Sequence, residues 1–355
     1  MKTRALIALA GLLLATSSVH AAPTFAEREL RKRDADLRRL GSSPRGVVPL
    51  FGLARLRPRL PQATYARFLR TASRRRAHPL VQDRLRWLRL AEARATGRSA
   101  EAKRLQTALG LLTQLYTAGP FDNEGGVGHR KRYGPELAPA SALRLKRTWV
   151  GKGTVVRWRR LPRVFPDGVL RPGALLESPD SSVIYLRTDL QARRARTMAL
   201  RLGTNGAYRV WLNGILVAES TARRALRADQ DAVGLRLRKG RNALLVKLAA
   251  EGSAPRAILR VTRPKGGPAR DVRCVAPPTG TSGGVTVFRP GAKPVAGPKV
   301  TTVRAALEGA TKRRPKDRAA RRALIRFHLA VQPDDRRLDR ALGLARDLIA
   351  LGTPD

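Results

Sequence analysis

From Ala26 to about Gly110, apolar side chains return every three or four residues, the spacing that gathers them on one face of a helix. In RLRWLRLAEARA, Leu85, Leu88 and Ala91 recur in this way, Leu90 adjoins them and arginines take the other side. Leu105, Ala108, Leu109 and Leu112 form a second stripe. Short turns such as ATGRS predict antiparallel helix pairs over a region 22–110. The period then drops to two. TQLYTAGPF, TVVRW, SVIYLRT, TMALRLGT, AYRVWLN, ILVAES, AVGLRLRKG, ALLVKL and AILRVTR are short runs bounded by Gly, Pro, Asn or Asp. Met198, Leu200 and Leu202 alternate with other residues, as do Leu244, Val246 and Leu248. Such runs predict an antiparallel β-sandwich over 111–263 with one wet face.

Residues 264–298 are rich in Pro, Gly, Thr and Ser and read as a linker. A helical period resumes over 299–355, with Leu307 and Ala310, then Leu324 and Phe327, then Leu338, Ala341, Leu342, Ala345 and Leu348 on successive stripes. Gln332-Pro333-Asp334-Asp335 separates the last two. Helix pairs of this size with Pro at the turn resemble tetratricopeptide units, which need stacked neighbours to bury their faces. The predicted fold is multidomain α + β: a helical amino-terminal region, a central antiparallel sandwich and carboxy-terminal helical hairpins.

Asn213-Gly214, between two apolar runs, supplies the positive φ angles of a type I′ hairpin turn. A two-residue hairpin pairs Leu212 with Ile215, Trp211 with Leu216 and Val210 with Val217. Tyr208, Val210 and Leu212 then point to one side of the sheet, Arg209 and Trp211 to the other. With the aliphatic set inside, Trp211 lies on the outer face, where a neighbouring segment covers it or a sugar ring stacks on it. Tyr208, Arg209 and Trp211 are therefore the candidate ligand-binding residues.

VIYLRTDL, LRLGTNGAYRVWLNGILVAES and LRKGRNALLVKL together resemble galactose-binding-like jelly rolls, such as the sugar-binding domains of β-galactosidase-type glycosidases. Leu237, Gly240, Asn242 and Leu244 occupy the turn-and-strand positions of that pattern. The resemblance covers about a third of the chain and implies a jelly-roll topology. GPFDNEGGVGHRKRYGPE, Gly119 to Glu136, resembles a segment of large exported proteins of the myxobacterial type. In those proteins tetratricopeptide arrays and a transglutaminase-like domain follow, so the resemblance implies an exported module ahead of repeats.

The start of the chain, MKTRALIALAGLLLATSSVHAAP, has the basic, apolar and small-residue order of a secretory signal over 1–21. Export then places the protein in the periplasm, the outer envelope or outside the cell. No later segment is apolar enough to cross a membrane. Cys274 is the only cysteine, so no intramolecular disulfide forms and the fold relies on packing.

The charge is extreme, with 72 Lys and Arg against 26 Asp and Glu. A surface of this sign attracts polyanions, and the expected partner is an anionic glycan or another envelope polyanion, with the helical segments free to contact proteins. The runs Arg74-Arg75-Arg76 and Lys312-Arg313-Arg314 carry no interleaved aromatics, which argues against nucleic acid. Asp122, Asn123 and Glu124, followed by two glycines, are candidate oxygen ligands for calcium, or a loop that satisfies its own backbone donors. No other cofactor is implied. Asp229 and Asp231 end a strand or pair with arginines. Gly280-Thr281-Ser282-Gly283-Gly284 fits a nucleophile-elbow pattern but lacks the strand and helix it needs. No Cys-His-Asp set is present. The expectation is an exported, non-catalytic binding or scaffold protein of the cell envelope. Its alternative is an amino-terminal fragment of a larger transglutaminase-like or hydrolase enzyme.

Overall fold

A computed structural model describes residues 22–137, 142–162, 166–280, 293–331 and 335–350. Residues 1–21, where a secretory signal is expected, residues 281–292 and residues 332–334 lie outside the described residues. Helix α1 (Phe25–Leu40) begins at a capping box: the Thr24 side chain accepts from the Glu27 amide, and the Glu27 carboxylate accepts from the Thr24 amide at 2.9 Å. After a 3-10 segment, Pro44–Leu50, come α2 (Leu53–Leu56), α3 (Gln62–Arg74), α4 (Pro79–Ala95) and α5 (Ser99–Leu109). His78 caps α4 by accepting from the Leu80 amide, and Pro79 takes the first helical position. Gly110 ends α5 at φ +75°, and a Cβ there would come within 2.2 Å of the Val261 carbonyl. Both the turn and the close approach of the sandwich therefore require glycine.

Ala91 does not share the stripe of Leu85 and Leu88 as the spacing predicts; it is exposed while Leu90 is buried. The reason is that α4 is covered on two sides. Leu80, Val81, Leu85 and Leu88 join the core of the first helices, whereas Leu90 and Ala93 pack with Leu105 and Leu109 of α5.

Each of the nine alternating runs lies on a strand. They form β1 (Tyr116–Asp122), β3 (Val155–Arg157), β5 (Ser182–Ala192), β6 (Arg196–Thr204), β7 (Ala207–Leu212), β8 (Ile215–Ser220), β9 (Asp231–Leu237), β10 (Gly240–Ala249) and β11 (Ala257–Thr262). The structure adds the short helix α6 (Gly134–Leu137), β2 (Thr148–Val150), β4 (Arg159–Arg160) and β12 (Val272–Val275). Among the described residues one sheet runs β4-β1-β5-β10-β7-β8, with β12 also on β5, and a second runs β11-β6-β9. Between them lie Leu186, Val210, Leu244 and Val246 from the larger sheet and Met198, Leu200, Leu235 and Leu259 from the smaller.

Two asparagines tie the turns together. Asn213 (φ +50°) and Gly214 (φ +81°) make the expected tight bend. The Asn213 Oδ1 accepts from the Ala243 amide at 2.8 Å, and its Nδ2 donates to Asn242 Oδ1 at 3.1 Å. Asn242, fully buried, accepts from the Arg238 amide and donates back to its carbonyl, closing the β9–β10 turn. The hairpin register corrects the sequence reading at one pair: Val210 faces Ala218, not Val217, because a β-bulge falls between Val210 and Trp211. The extra residue brings Arg209 opposite Glu219, where the two ion-pair at 3.1 Å.

The stretch 264–298 is not a bare linker. β12 pairs with β5 along Asp189–Ala192, continuing the edge where β1 stops, and Val295 donates its amide to the Leu216 carbonyl at 2.9 Å. Cys274 accordingly sits on a strand, 3.1 Å from Thr188 Oγ1, and not in a loop.

Nor is either outer face wet. On the smaller sheet, the face of Ile258, Arg260 and Arg201 meets the helices. Arg260 donates to Asp83 Oδ2 of α4 through both terminal nitrogens at 3.0 Å, to Asp229 through two bonds of 2.7 Å, and to the Leu109 carbonyl. Asp83 also accepts from the Gly267 amide and from Arg86. Burial pulls the Arg260 guanidinium down, but the Asp229 and Asp83 carboxylates outweigh it and hold it above its usual value.

Helices α7 (Val303–Arg313), α8 (Arg318–Val331) and α9 (Asp335–Ala350) do not stand apart as a separate module. Leu307, Leu324, Phe327 and Val331 pack on Val48, and the Phe51 and Phe327 ring centroids lie 6.1 Å apart. The helical layer is thus assembled from both ends of the chain. On α9, Ala341 is buried as the stripe predicts, but Leu342 is half-exposed.

Replacing one partner of a buried pair strands the other charge. Asp83→Ala is expected to cost about 3–5 kcal/mol in urea unfolding. Arg38→Ala, which removes an exposed pair with Asp34 on α1, is expected to cost less than about 1 kcal/mol.

Candidate functional site

The outer face of the larger sheet is closed by residues 133–137 and 142–158. Trp211 is only 2% exposed there, in a cluster with Phe121, Leu143, Val156, Trp158 and Leu245. The Phe121 and Tyr133 rings stack at 4.7 Å, and Trp149 meets Trp158 edge-on at 6.1 Å. The indole does lie on the outer face, as the alternation predicts, but a neighbouring segment covers it and no ring is presented to solvent. Tyr208 is buried on the opposite face, its hydroxyl donating to Asp231 at 3.0 Å. Arg209 alone of the three candidate residues is partly exposed, and it holds Glu219. The structure does not bring these three side chains to one surface.

Beneath the same cover lies a charge cluster that the sequence did not reveal. Lys247, fully buried, donates to Glu136 Oε1 at 2.8 Å and to the Lys131 carbonyl at 2.5 Å. The Tyr185 hydroxyl donates to the same Glu136 oxygen. Burial pulls the Lys247 ammonium down and Glu136 pushes it back; burial and then Glu136 raise the Tyr185 phenol well above its usual value. With every member satisfied, this cluster pins the cover to the sheet.

The segment Asp122–Gly126 turns at one end of the sandwich and opens a groove of about 680 Å³. Gly125 (φ +62°) and Gly126 (φ +75°) supply the left-handed backbone of the turn. The three side chains expected to meet a cation are turned to different partners. Asp122 Oδ1 accepts from the Glu124 amide at 3.2 Å, in the self-satisfying loop geometry. Asn123 is buried; its Nδ2 donates to the Ala250 carbonyl at 2.8 Å, while its Oδ1 has no hydrogen-bond partner among the described residues. Glu124 is exposed and ion-pairs with Lys152 at 2.5 Å. Among the described residues, no three His, Cys, Asp or Glu side chains are grouped to hold a metal.

Of the candidate residues only Asn123 lines this groove, and the charged groups that reach it lie outside the sequence candidates. Arg130, exposed, makes no side-chain hydrogen bond or ion pair among the described residues. Arg223, in an exposed ion pair with Glu251, and the exposed Thr221 line the same groove. His129 is buried at the groove floor, its Nε2 3.3 Å from the Tyr208 carbonyl. Arg130 opens the run Arg130-Lys131-Arg132, which was readable as a basic patch; Arg223 is brought to it only by the sheet topology.

Burial pulls the His129 imidazole below its ordinary value; the Tyr208 hydrogen bond opposes this, and the Arg209 and Lys247 cations add to it. The unfolded chain takes up that proton near pH 6.5 while the folded chain stays neutral to lower pH. Stability is therefore expected to fall as pH drops below about 6.5, and His129→Gln to flatten part of the slope in thermal unfolding. His78, also held low by burial, Arg201 and Lys265, supplies another part. Trp211→Ala is expected to lower stability by about 3–5 kcal/mol, as for other large core truncations, in the same measurement.

No family model matches this chain, and no curated protein matches it. Among solved structures it is similar to the PA14 domain of the MpAFP antifreeze protein, with a TM-score of 0.23 and 14% identity, over 28% of this chain and 55% of that one. A PA14 sugar-binding domain from an RTX adhesin gives 0.19 and 20%, over 23% of this chain and 45% of that one. A family 35 carbohydrate binding module from Clostridium thermocellum gives 0.19 and 15%, over 24% and 74%. The chain thus spans about half the length of the two PA14 structures. Likeness at these scores carries no weight for fold or ligand, and the sandwich described above rests on this chain's own strands.

Proposed function

We propose that the chain is an exported, non-catalytic glycan-binding protein whose ligand is an acidic saccharide held in the groove beside Asp122–Gly126. The observation that carries the reading is the Arg130 guanidinium, exposed at the groove with no counter-ion among the described residues, with Arg223 lining the same groove. A guanidinium matches a carboxylate or sulfate bidentately, and the neighbouring Thr221 hydroxyl suits sugar hydroxyls. No Phe, Tyr or Trp is among the described lining residues, so recognition rests on charge and hydrogen bonding and not on stacking. The strong positive charge of the whole chain raises the local concentration of such a ligand. In this reading the cell-envelope location and the scaffold role follow from the secretory segment and from the covered, rigid sandwich.

Calorimetry with an oligogalacturonate and with a neutral glucan of equal length tests this. The acidic oligosaccharide is expected to bind, and more weakly as salt rises. An Arg130→Ala/Arg223→Ala double variant is expected to lose about tenfold or more in affinity with stability within about 1 kcal/mol of the parent. Equal binding of the two oligosaccharides, or unchanged affinity in the double variant, would overturn the reading.

A further inference from the structure

A second cavity, of about 200 Å³, lies where three parts of the chain meet: the first helices, the edge of the smaller sheet and the α7–α8 pair. Its apolar wall is made by Val47, Phe51, Leu80, Val303, Phe327 and Val331. Its polar wall carries Arg84, Arg201, Arg304, Asp229 and Asp231. The two carboxylates are already occupied. Asp229 is held by Arg260 through both oxygens, and Asp231 accepts from Tyr208 and from Arg224. Arg201 is likewise engaged, with Thr262 Oγ1 and the Thr301 carbonyl each at 3.0 Å.

Arg84 is different. Its guanidinium makes no hydrogen bond to any group of the described chain; it lies over the Phe51 ring, 5.6 Å from the centroid, and its Nε is buried without a partner. One turn along the same face of α4, the Trp87 indole Nε1 is also buried and unpaired. Burial lowers the Arg84 guanidinium, and the nearby Asp229 charge only partly restores it. A half-buried guanidinium whose inner Nε has no acceptor costs stability that a ligand can restore by supplying one. A pocket with an apolar wall and such a cation accepts a molecule that is apolar at one end and anionic at the other.

We propose that this cavity binds a small aromatic carboxylate, its ring against Phe51, Phe327 and Val331 and its carboxylate on Arg84. The size fits: an apolar cavity of about 150 Å³ holds a benzene ring, and the further space here admits one carboxylate. Hydrophilic anions such as free phosphate leave the apolar wall unused. The site is separate from the sandwich-end groove and does not depend on the glycan reading.

The test is calorimetry and thermal unfolding of the full chain with benzoate and phenylacetate, against benzamide and inorganic phosphate. The acids are expected to raise the unfolding temperature and to bind about tenfold or more tighter than the amide, as a charge-assisted hydrogen bond implies. Arg84→Met, which fills the same space without charge, is expected to lose carboxylate affinity about tenfold or more while its unfolding temperature stays equal to or above the parent's. A purely structural arginine would lower that temperature. No binding of either acid, equal binding of acid and amide, phosphate binding as tight as the acids, or undiminished binding by Arg84→Met would each overturn the proposal. Arg130→Ala/Arg223→Ala leaves this binding unchanged, which keeps the two sites distinguishable.

Discussion

The structure depends on how 26 carboxylates are shared among 72 basic side chains. Most of the positive charge can remain in water, but Arg260, Arg201, Arg187 and Lys247 are buried on sheet faces and each needs acceptors. The scarce acids therefore serve several donors each. Asp83 takes Arg260, Arg86 and the Gly267 amide; Glu136 takes Lys247 and Tyr185; Asp189 pairs with Arg187 and Arg241. These clusters sit where layers meet. Asp83 fastens the helical layer to the smaller sheet, and Glu136 fastens the cover of residues 133–137 and 142–158 to the larger one. The layers stack in the order helices, small sheet, large sheet, cover, with an ion cluster at each outer junction.

That arrangement explains what could be read from the sequence. Period-two alternation in Met198–Leu202 and Leu244–Leu248 reports the sandwich interior directly, because only side chains meeting the facing sheet must be apolar. The Asn213-Gly214 bend was legible because its backbone angles suit few residues. The outer faces were not. Arg201, Lys247 and Arg260 read as a solvated side of each strand, since a buried ion partnered from a distant segment has the same letter as an exposed one. Asp83 and Arg260 are 177 residues apart, and nothing in the local pattern of either announces the other. The bulge after Val210 was hidden for a related reason: an inserted residue leaves the composition of the hairpin unchanged.

The functional surfaces were less legible still. Trp211 has the chemistry of a sugar platform, and its placement on the outer face was correct, yet Leu143 and Trp158 arrive from another part of the chain to cover it. The groove is built from the Asp122–Gly126 turn, the Arg130 segment, the Thr221–Arg223 stretch and Glu251, which only the strand order unites. Arg84 lies within a helical stripe of alternating Leu and Arg, where an unpaired guanidinium cannot be told from its solvated neighbours.

The helical layer is divided between the two ends of the chain, and this has a bearing on the order in which the protein assembles. The sandwich, from β1 to β12, is contiguous and can close as soon as it is complete, whereas Val48 and Phe51 have no permanent cover until α7 and α8 follow. Contacts spanning such a distance form late and slowly. During synthesis the earliest helices therefore wait for the last ones, with an apolar strip open to chaperones or to mispairing throughout that interval.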